Sequence, residues 1–445
     1  MHDPLFSRGI DLTVVLIVIG KTVFTFALLL LTVLLLIWIE RKVVADMQNR
    51  IGPNRAGPWG MLQSLADGIK LFFKEQSIPD SADRVVFRLA PYLSVLPAFL
   101  AFSVIPISGE FKIAGHRTIL QLADLPIGIL FVLAMSGLGV YGVLLAGWSS
   151  GSKYPLLGSV RASAQMVSYE AALGLGIIGA VVQAGTLSTY GIVAAQGFPH
   201  SVNPLNWFLL PAPVPFAIFC IAAVAETNRA PFDLVEAEQE LVGGFHTEYT
   251  GIRFAMFFLA EYMNMATQSA IAVTLFLGGP AGPRPPFVPA VFVGIFWFLA
   301  KMSLFLFGYI WLRAALPRLR YDQLMDFGWK VLIPVGVLWL GVSAVYRVAQ
   351  DQGWPFWVFV AAPVGAFAAY GVLYASMPSP GAEAGSGGAT IEVFPERGSR
   401  RRAGVAGGTP DPGVAGGTPD PAISGDTPDA VSGGSQASGS GEEAV

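Results

Sequence analysis

Apolar residues in this chain run in long unbroken blocks, not in the two-residue alternation of half-buried strands. Nine blocks, at about 10–39, 90–108, 125–148, 163–183, 206–225, 252–278, 288–312, 329–347 and 355–376, approach or exceed the roughly 20 residues that cross a hydrocarbon core about 30 Å thick. Lipid offers the backbone no hydrogen-bond partner, so these blocks are expected to be helices. A transmembrane β-barrel would instead show ten-residue alternating segments. The pattern predicts an all-α fold, a polytopic transmembrane helix bundle of about nine helices over residues 1–377. The first block follows MHDPLFSRGI, which lacks a cationic start and a cleavage site, and it reads as a retained helix.

Composition agrees: 53% of residues are hydrophobic and 13% charged, against roughly 25% charged in soluble domains. Lys and Arg are distributed unevenly between the loops. The loops at 40–88, 149–161, 226–253 and 313–330 carry sixteen, and the alternate loops carry four. The positive-inside rule then places the N-terminus outside and the sixteen-cation face in the cytoplasm, together with the C-terminal tail. That tail, 378–445, is rich in Gly, Pro, Ser and Asp and repeats GVAGGTPDP at 404–412 and 413–421. It has too little apolar surface to fold alone and is expected to be disordered. The net charge of -3 mixes tail and membrane body and decides nothing.

Several chemistries lack their residues. A single cysteine, Cys220, builds neither an iron–sulfur site nor a disulfide, and His2, His116, His200 and His246 stand apart without metal or haem spacing. There is no phosphate-binding glycine loop and no basic stripe for nucleic acid. Metal, haem, flavin and iron–sulfur centres are therefore not expected on this chain.

Charge near the apolar blocks supplies the candidate chemistry. Residues 225–244 read AETNRAPFDLVEAEQELVGG, gathering Glu226, Asp233, Glu236, Glu238 and Glu240 around Arg229. Carboxylates beside a bilayer pair, neutralise, or mark a path for protons, ions or ligand. Glu170 and Glu261 lie inside apolar blocks and read either as helix braces or as a continuation of that path. Lys21, in the first block, reads as snorkelling to the interface. Arg161, Lys301, Arg313, Arg318 and Arg320 read as interface anchors, the last three also as possible counter-charges. The loop after the first block opens with Glu40, Arg41 and Lys42, then turns through QNRIGPNRAGPWG, with Arg50 and Arg55. Leu62, Leu65, Ile69 and Phe72 then recur at helical spacing, with Asp67, Lys70 and Lys74 on another face. An amphipathic surface helix is predicted over about 57–75, either a brace or the doorway of a cavity with Asp67 turned inward.

Four segments carry a specific resemblance: IERKVVADMQNRIGPNRAGPWGMLQSLADGIKLFFKE at 39–75, GWSSGSKYPLLGSVRASAQMVSYE at 147–170, AETNRAPFDLVEAEQELVGGFHTEYTG at 225–251 and WLRAALPRLRYDQLMDFGWKVLIP at 311–334. In this order they resemble the quinone-docking membrane subunit of respiratory complex I, the proton-pumping NADH:quinone oxidoreductase, over roughly residues 10–350. The resemblance implies a bundle sealed against a soluble arm, with quinone as substrate entering beside the first helix, the surface helix and the sixth helix. It implies Glu40, Arg41, Asp67 and Arg229 in the quinone cavity and Arg50 and Arg55 at the soluble arm. It makes Glu226, Asp233, Glu236, Glu238 and Glu240 an acidic funnel that Glu261 and Glu170 extend toward antiporter-like subunits. Implied partners are the iron–sulfur and quinone-site subunits of that arm, small and antiporter-like membrane subunits and lipid, in a bacterial inner (plasma) membrane. Alternatives are the anchor of a related membrane-bound hydrogenase, a secondary transporter, which no internal repeat supports, and a purely structural anchor.

Overall fold

The computed structural model describes residues 4–5, 11–198, 203–233, 242–285, 287–355 and 357–376. The tail from 378 and Glu236, Glu238 and Glu240 lie outside the described residues. Each of the nine apolar blocks falls on a helix. They are α1 (Leu12–Met47), α3 (Arg84–Phe102), α4 (Gly128–Ser149), α5 (Lys153–Ala184), α7 (Pro213–Glu226), α8 (Gly251–Phe276), α9 (Ala290–Ala315), α11 (Ile333–Gln352) and α12 (Trp357–Ser376). Short helices intervene at α2 (Gln63–Phe73), α6 (Thr189–Ala195) and α10 (Tyr321–Phe327), and a π turn at Gly328–Leu332 joins α10 to α11. Among the described residues, six helical runs are long and apolar enough to cross a membrane: α1, α3, α4, α5, α9 and Tyr321–Ala349. This is a polytopic helical membrane protein.

Helix ends depart from the apolar blocks where polar residues keep helical geometry. α1 continues to Met47, so Glu40 and Arg41 sit on a rigid turn well inside the helix and not at its end. α5 begins ten residues before its apolar block, and ends where Gly185 takes a left-handed φ of 68°. α3 starts earlier as well, because the Asp83 carboxylate accepts from the backbone N–H of Val85 and Val86 at 3.0 and 3.3 Å. The surface helix is shorter than expected: a 3-10 turn at Pro58–Gly60 precedes it, and regular helix spans only Gln63–Phe73.

α8 is the interior helix. Every side chain from Met265 to Phe276 is buried, so its polar residues face other helices and not lipid. α4 packs closely on α3 and α5 through glycines. A methyl group added at Gly142 would overlap Ser94, and one added at Gly147 would overlap Ser159 and the Pro155 carbonyl.

Three features correct the sequence expectation. The loop between the second and third apolar blocks contains an antiparallel hairpin, β1 (Ser108–Ile113) and β2 (His116–Leu120). Its two-residue turn, Ala114–Gly115, has φ of 47° and 82°, the positive pair that tight hairpin turns need. Lys21 does not snorkel: it is buried, and its Nζ donates to Thr118 of β2 at 3.0 Å. Lys301 is no interface anchor either. Its ammonium donates to the carbonyls of Leu277, Gly279 and Ala281 at 2.6, 3.0 and 2.7 Å, beyond the C-terminus of α8, where the helix dipole favours a cation.

Candidate functional site: a charged chamber and its acidic floor

The acidic segment is held by backbone anchors that the sequence does not advertise. α7 ends as Thr227 returns both its N–H and its hydroxyl to the Ala223 carbonyl, at 3.1 and 3.0 Å. Asn228 then takes a left-handed φ of 51°, and the Arg229 N–H turns back to the Val224 carbonyl at 3.3 Å. From α5, the Gln165 amide donates to the carbonyls of Ala225 and Phe232 at 2.8 and 2.9 Å. Leu319 donates to the Pro231 carbonyl at 2.9 Å. The turn carrying Glu226, Arg229 and Asp233 is thus stapled from two sides, and all three side chains are buried.

Arg229 is the hub. Its Nη1 donates to Glu40 of α1 at 3.2 Å, its Nε lies 2.8 Å from Glu261 of α8, and its guanidinium stands 4.4 Å from the Tyr262 ring centroid. Glu40 is shared, because Arg313 of α9 donates to the same carboxylate oxygen. Arg318 pairs with Asp233 at 3.3 Å. Stripping water from these charges is expensive, and mutual pairing is what makes their burial tolerable. Arg313 and Arg318, read from sequence as anchors with a possible second role, therefore supply counter-charge to the acids.

Beside the hub lies a chamber of about 1000 Å³, lined by Glu40, Arg41, Arg50, His246, Phe254, Phe258, Tyr262, Arg313 and Arg318, among others. His246 and Phe258 also line a smaller space of about 50 Å³ that contains Glu226, Asp233, Asn228, Glu261 and Asn264. The chamber and the acidic residues are therefore adjoining volumes. Burial holds the His246 imidazole down at about 4, against the opposing pull of the Asp233 carboxylate. At neutral pH it presents an uncharged ring to both spaces.

The other expected site residues fall around this core. Asp67 of α2 does not line the chamber. It grips Arg41 of the chamber wall at 2.6 Å and also accepts from Gln63 at 3.1 Å, with Lys70 at 3.9 Å. Burial acts to raise the Asp67 carboxyl, but the bonds and charges of Arg41, Gln63 and Lys70 prevail and hold it below the usual carboxylate range. Leu62, at the N-cap of α2, and Leu65, Ile69, Phe72 and Phe73 on it are exposed, which suits a helix lying on a membrane surface. Arg50 lines the chamber and Arg55 is exposed outside its lining.

Glu226 accepts a hydrogen bond from Ser136 of α4. Glu170 of α5 approaches the next α4 position, with an oxygen 3.2 Å from where a Cβ at Gly137 would stand. These two carboxyls thus border consecutive residues of one helix, although 56 positions separate them in the chain. Sequence reading missed Tyr262, His246 and the polar set Ser136, Asn264, Thr267 and Gln268. One signal was present: Glu261, Asn264 and Gln268 follow the i, i+3, i+7 spacing of a single helix face.

This is a polytopic helical membrane protein with a large charged chamber, beside which lie the buried carboxylates Glu226 and Asp233 and the half-buried Glu261. The family described as NADH dehydrogenase matches residues 20–344. The NADH-quinone oxidoreductase H subunit of Frankia alni is 58% identical over 342 residues, covering 76% of this chain and 74% of its own. The protein of the same name from Frankia casuarinae is 57% identical over the same shares. That of Streptomyces avermitilis is 53% identical over 350 residues, with 76% and 75% covered. The chain belongs to this family of membrane subunits of NADH-quinone oxidoreductase.

Proposed function

We propose that the chain forms the quinone entry and binding chamber of a proton-translocating NADH:quinone oxidoreductase, and that its buried carboxylates couple quinone reduction to proton movement. The observation that carries this reading is the adjacency of the two volumes: the chamber that would admit a quinone shares His246 and Phe258 with the space holding Glu226, Asp233 and Glu261. Quinone is the substrate, and electrons reach it from redox centres on partner subunits.

The residues suit these roles. Phe254, Phe258 and Tyr262 give the chamber aromatic walls for a quinone ring, and Arg41, Arg313 and Arg318 offer donors to its oxygens. The Arg41–Asp67 bond ties the α2 doorway to α1. Reducing a quinone by two electrons draws two protons, and this change of charge acts over short distances in a medium of low dielectric. Glu40, Arg229 and Glu261 form one connected set, so a charge altered at the chamber wall shifts the balance at Glu261, and from there at Glu226 and Glu170. Such acids titrate as a group and hand protons along without any one leaving its place. Glu236, Glu238 and Glu240 are proposed members of the same funnel.

In this reading Arg50 and Arg55 meet the soluble arm, whose iron–sulfur and quinone-site subunits complete the chamber. Small and antiporter-like membrane subunits receive the charge path. The complex sits in the bacterial plasma membrane with the N-terminus outside and the tail, from 378, in the cytoplasm. Replacing Glu226 by Gln and measuring NADH oxidation and proton pumping in membranes tests the relay. Both activities should fall together, and retention of both at normal levels would remove Glu226 from the path.

A further inference from the structure

The polar interior does not end at Glu226. A space of about 20 Å³ lies between α3, α4 and α8 and shares Ser94, Gly139 and Asn264 with the space around Glu226. Its wall includes Ser136, Thr267 and Gln268. Three atoms around these two spaces, Asn228 Oδ1, Thr267 Oγ1 and Gln268 Oε1, are buried and have no hydrogen-bond partner among the described residues. A buried polar atom left without a partner costs about 1–3 kcal/mol, so three together favour an occupant.

Volume and chemistry select it. A bound water needs roughly 10–15 Å³ and two to four polar partners. Both spaces meet the first condition, and the orphaned atoms supply the second. A lipid chain would satisfy none of them. The direction of the file follows from the helix pairing. On α3 the lining advances from Ser94 to Ala98 and Ala101, and on the antiparallel α4 from Gly139 to Ser136 and Val132. On α8 it advances from Asn264 to Thr267 and Gln268. On α3 and α4 the wall farthest from the space around Glu226 is thus apolar, made of Ala98, Ala101 and Val132.

We propose that a short file of bound water extends from Glu226 along Thr267 and Gln268 to a dead end, closed by an apolar plug of Ala98, Ala101 and Val132. The water satisfies the orphaned atoms, and its functional meaning rests on the relay proposed for Glu226. A protonated Glu226 passes its proton to the adjacent water, whose lone pair accepts it, and the carboxylate recovers a proton by the reverse step. The plug offers no acceptor beyond, so the proton leaves only by the route it came. Thr267 and Gln268 are positioning residues in this scheme, since they hold the water and not the substrate.

A density map of the assembled complex, at a resolution that shows ordered water, tests the file directly. Water peaks are expected within hydrogen-bond distance of Gln268 Oε1, Thr267 Oγ1 and Glu226 Oε2, and a dry cavity would overturn the proposal. The plug is tested by Ala101→Ser combined with Val132→Thr in reconstituted complex. Passive proton leak without NADH should rise several-fold while NADH oxidation continues. An unchanged leak in assembled complex would refute the plug, and the nearly isosteric Val132→Thr alone serves if the double variant does not assemble. The two readings fail separately: normal pumping by Glu226→Gln removes the relay but leaves the water density, whereas a dry map removes the file and leaves the Glu226→Gln result standing.

Discussion

Replacing Arg229 by Met tests whether the hub is held by charge. The guanidinium lies 2.8 Å from Glu261 and 3.2 Å from Glu40. At an effective dielectric near 20 those separations correspond to attractions of at most about 6 and about 5 kcal/mol. Desolvation offsets much of this, and removing one member of a buried pair typically costs about 3–5 kcal/mol, because the remaining charge stays buried. Glu40 retains Arg313, so the loss should fall chiefly on Glu261. Adding Glu261→Gln to Arg229→Met removes the charge that the first substitution left behind. The double variant should therefore be more stable than the sum of the two single effects by about 1 kcal/mol or more. Heat-driven loss of the assembled complex, followed by the amount of intact assembly that remains, is a suitable assay, and in it 1 kcal/mol corresponds to roughly a fivefold change in rate. Single effects that simply add, within about 0.3–0.5 kcal/mol, would show that Arg229 and Glu261 are neighbours without energetic coupling.

Acid sensitivity should also appear at the chamber. His246 is held at about 4 against an ordinary 6.5, so between those values the unfolded chain binds more protons than the native one. Stability from this group is complete above 6.5 and declines as pH falls toward 4, by at most about 1.4 kcal/mol per pH unit. His246→Phe should flatten the melting temperature of the complex across that window, and an undiminished slope would place the acid sensitivity elsewhere. In α4, Gly147→Ala forces a methyl group into Ser159 and the Pro155 carbonyl and should lower stability by about 1–3 kcal/mol. A melting temperature equal to that of the unsubstituted complex would show that α4 and α5 can separate freely.

Much of the architecture was legible because lipid makes simple demands. Any block of about 20 apolar residues must be a helix there, and each of the nine carries one, although in the block at 206–225 regular helix is confined to Pro213–Glu226. The short segments escaped detection for a corresponding reason: the hairpin at 108–120 rests on a two-residue turn, one of whose members is the ordinary Ala114, and no periodicity marks it. Lys21 and Lys301 were misread because a lone cation in an apolar run looks the same whether it reaches the interface or meets Thr118 or three carbonyls. Glu40, Arg229 and Glu261 each stood out as charges near apolar blocks, but nothing along the chain pairs residue 40 with residue 229.

By itself, the order of residues determined that this is a helical membrane protein, which family it resembles, and which side chains bear charge where charge is costly. These follow from hydration, which acts on each residue locally and so can be summed along the chain. Tertiary structure alone decided that Arg229 is shared by Glu40 and Glu261, that Arg313 and Arg318 answer the acids, that Glu170 and Glu226 border adjacent positions of α4, and that a polar recess continues past Glu226. Pairing and enclosure depend on distances between helices remote in sequence, and those distances are set by packing, by contacts such as Gly142 on Ser94, that no single segment encodes.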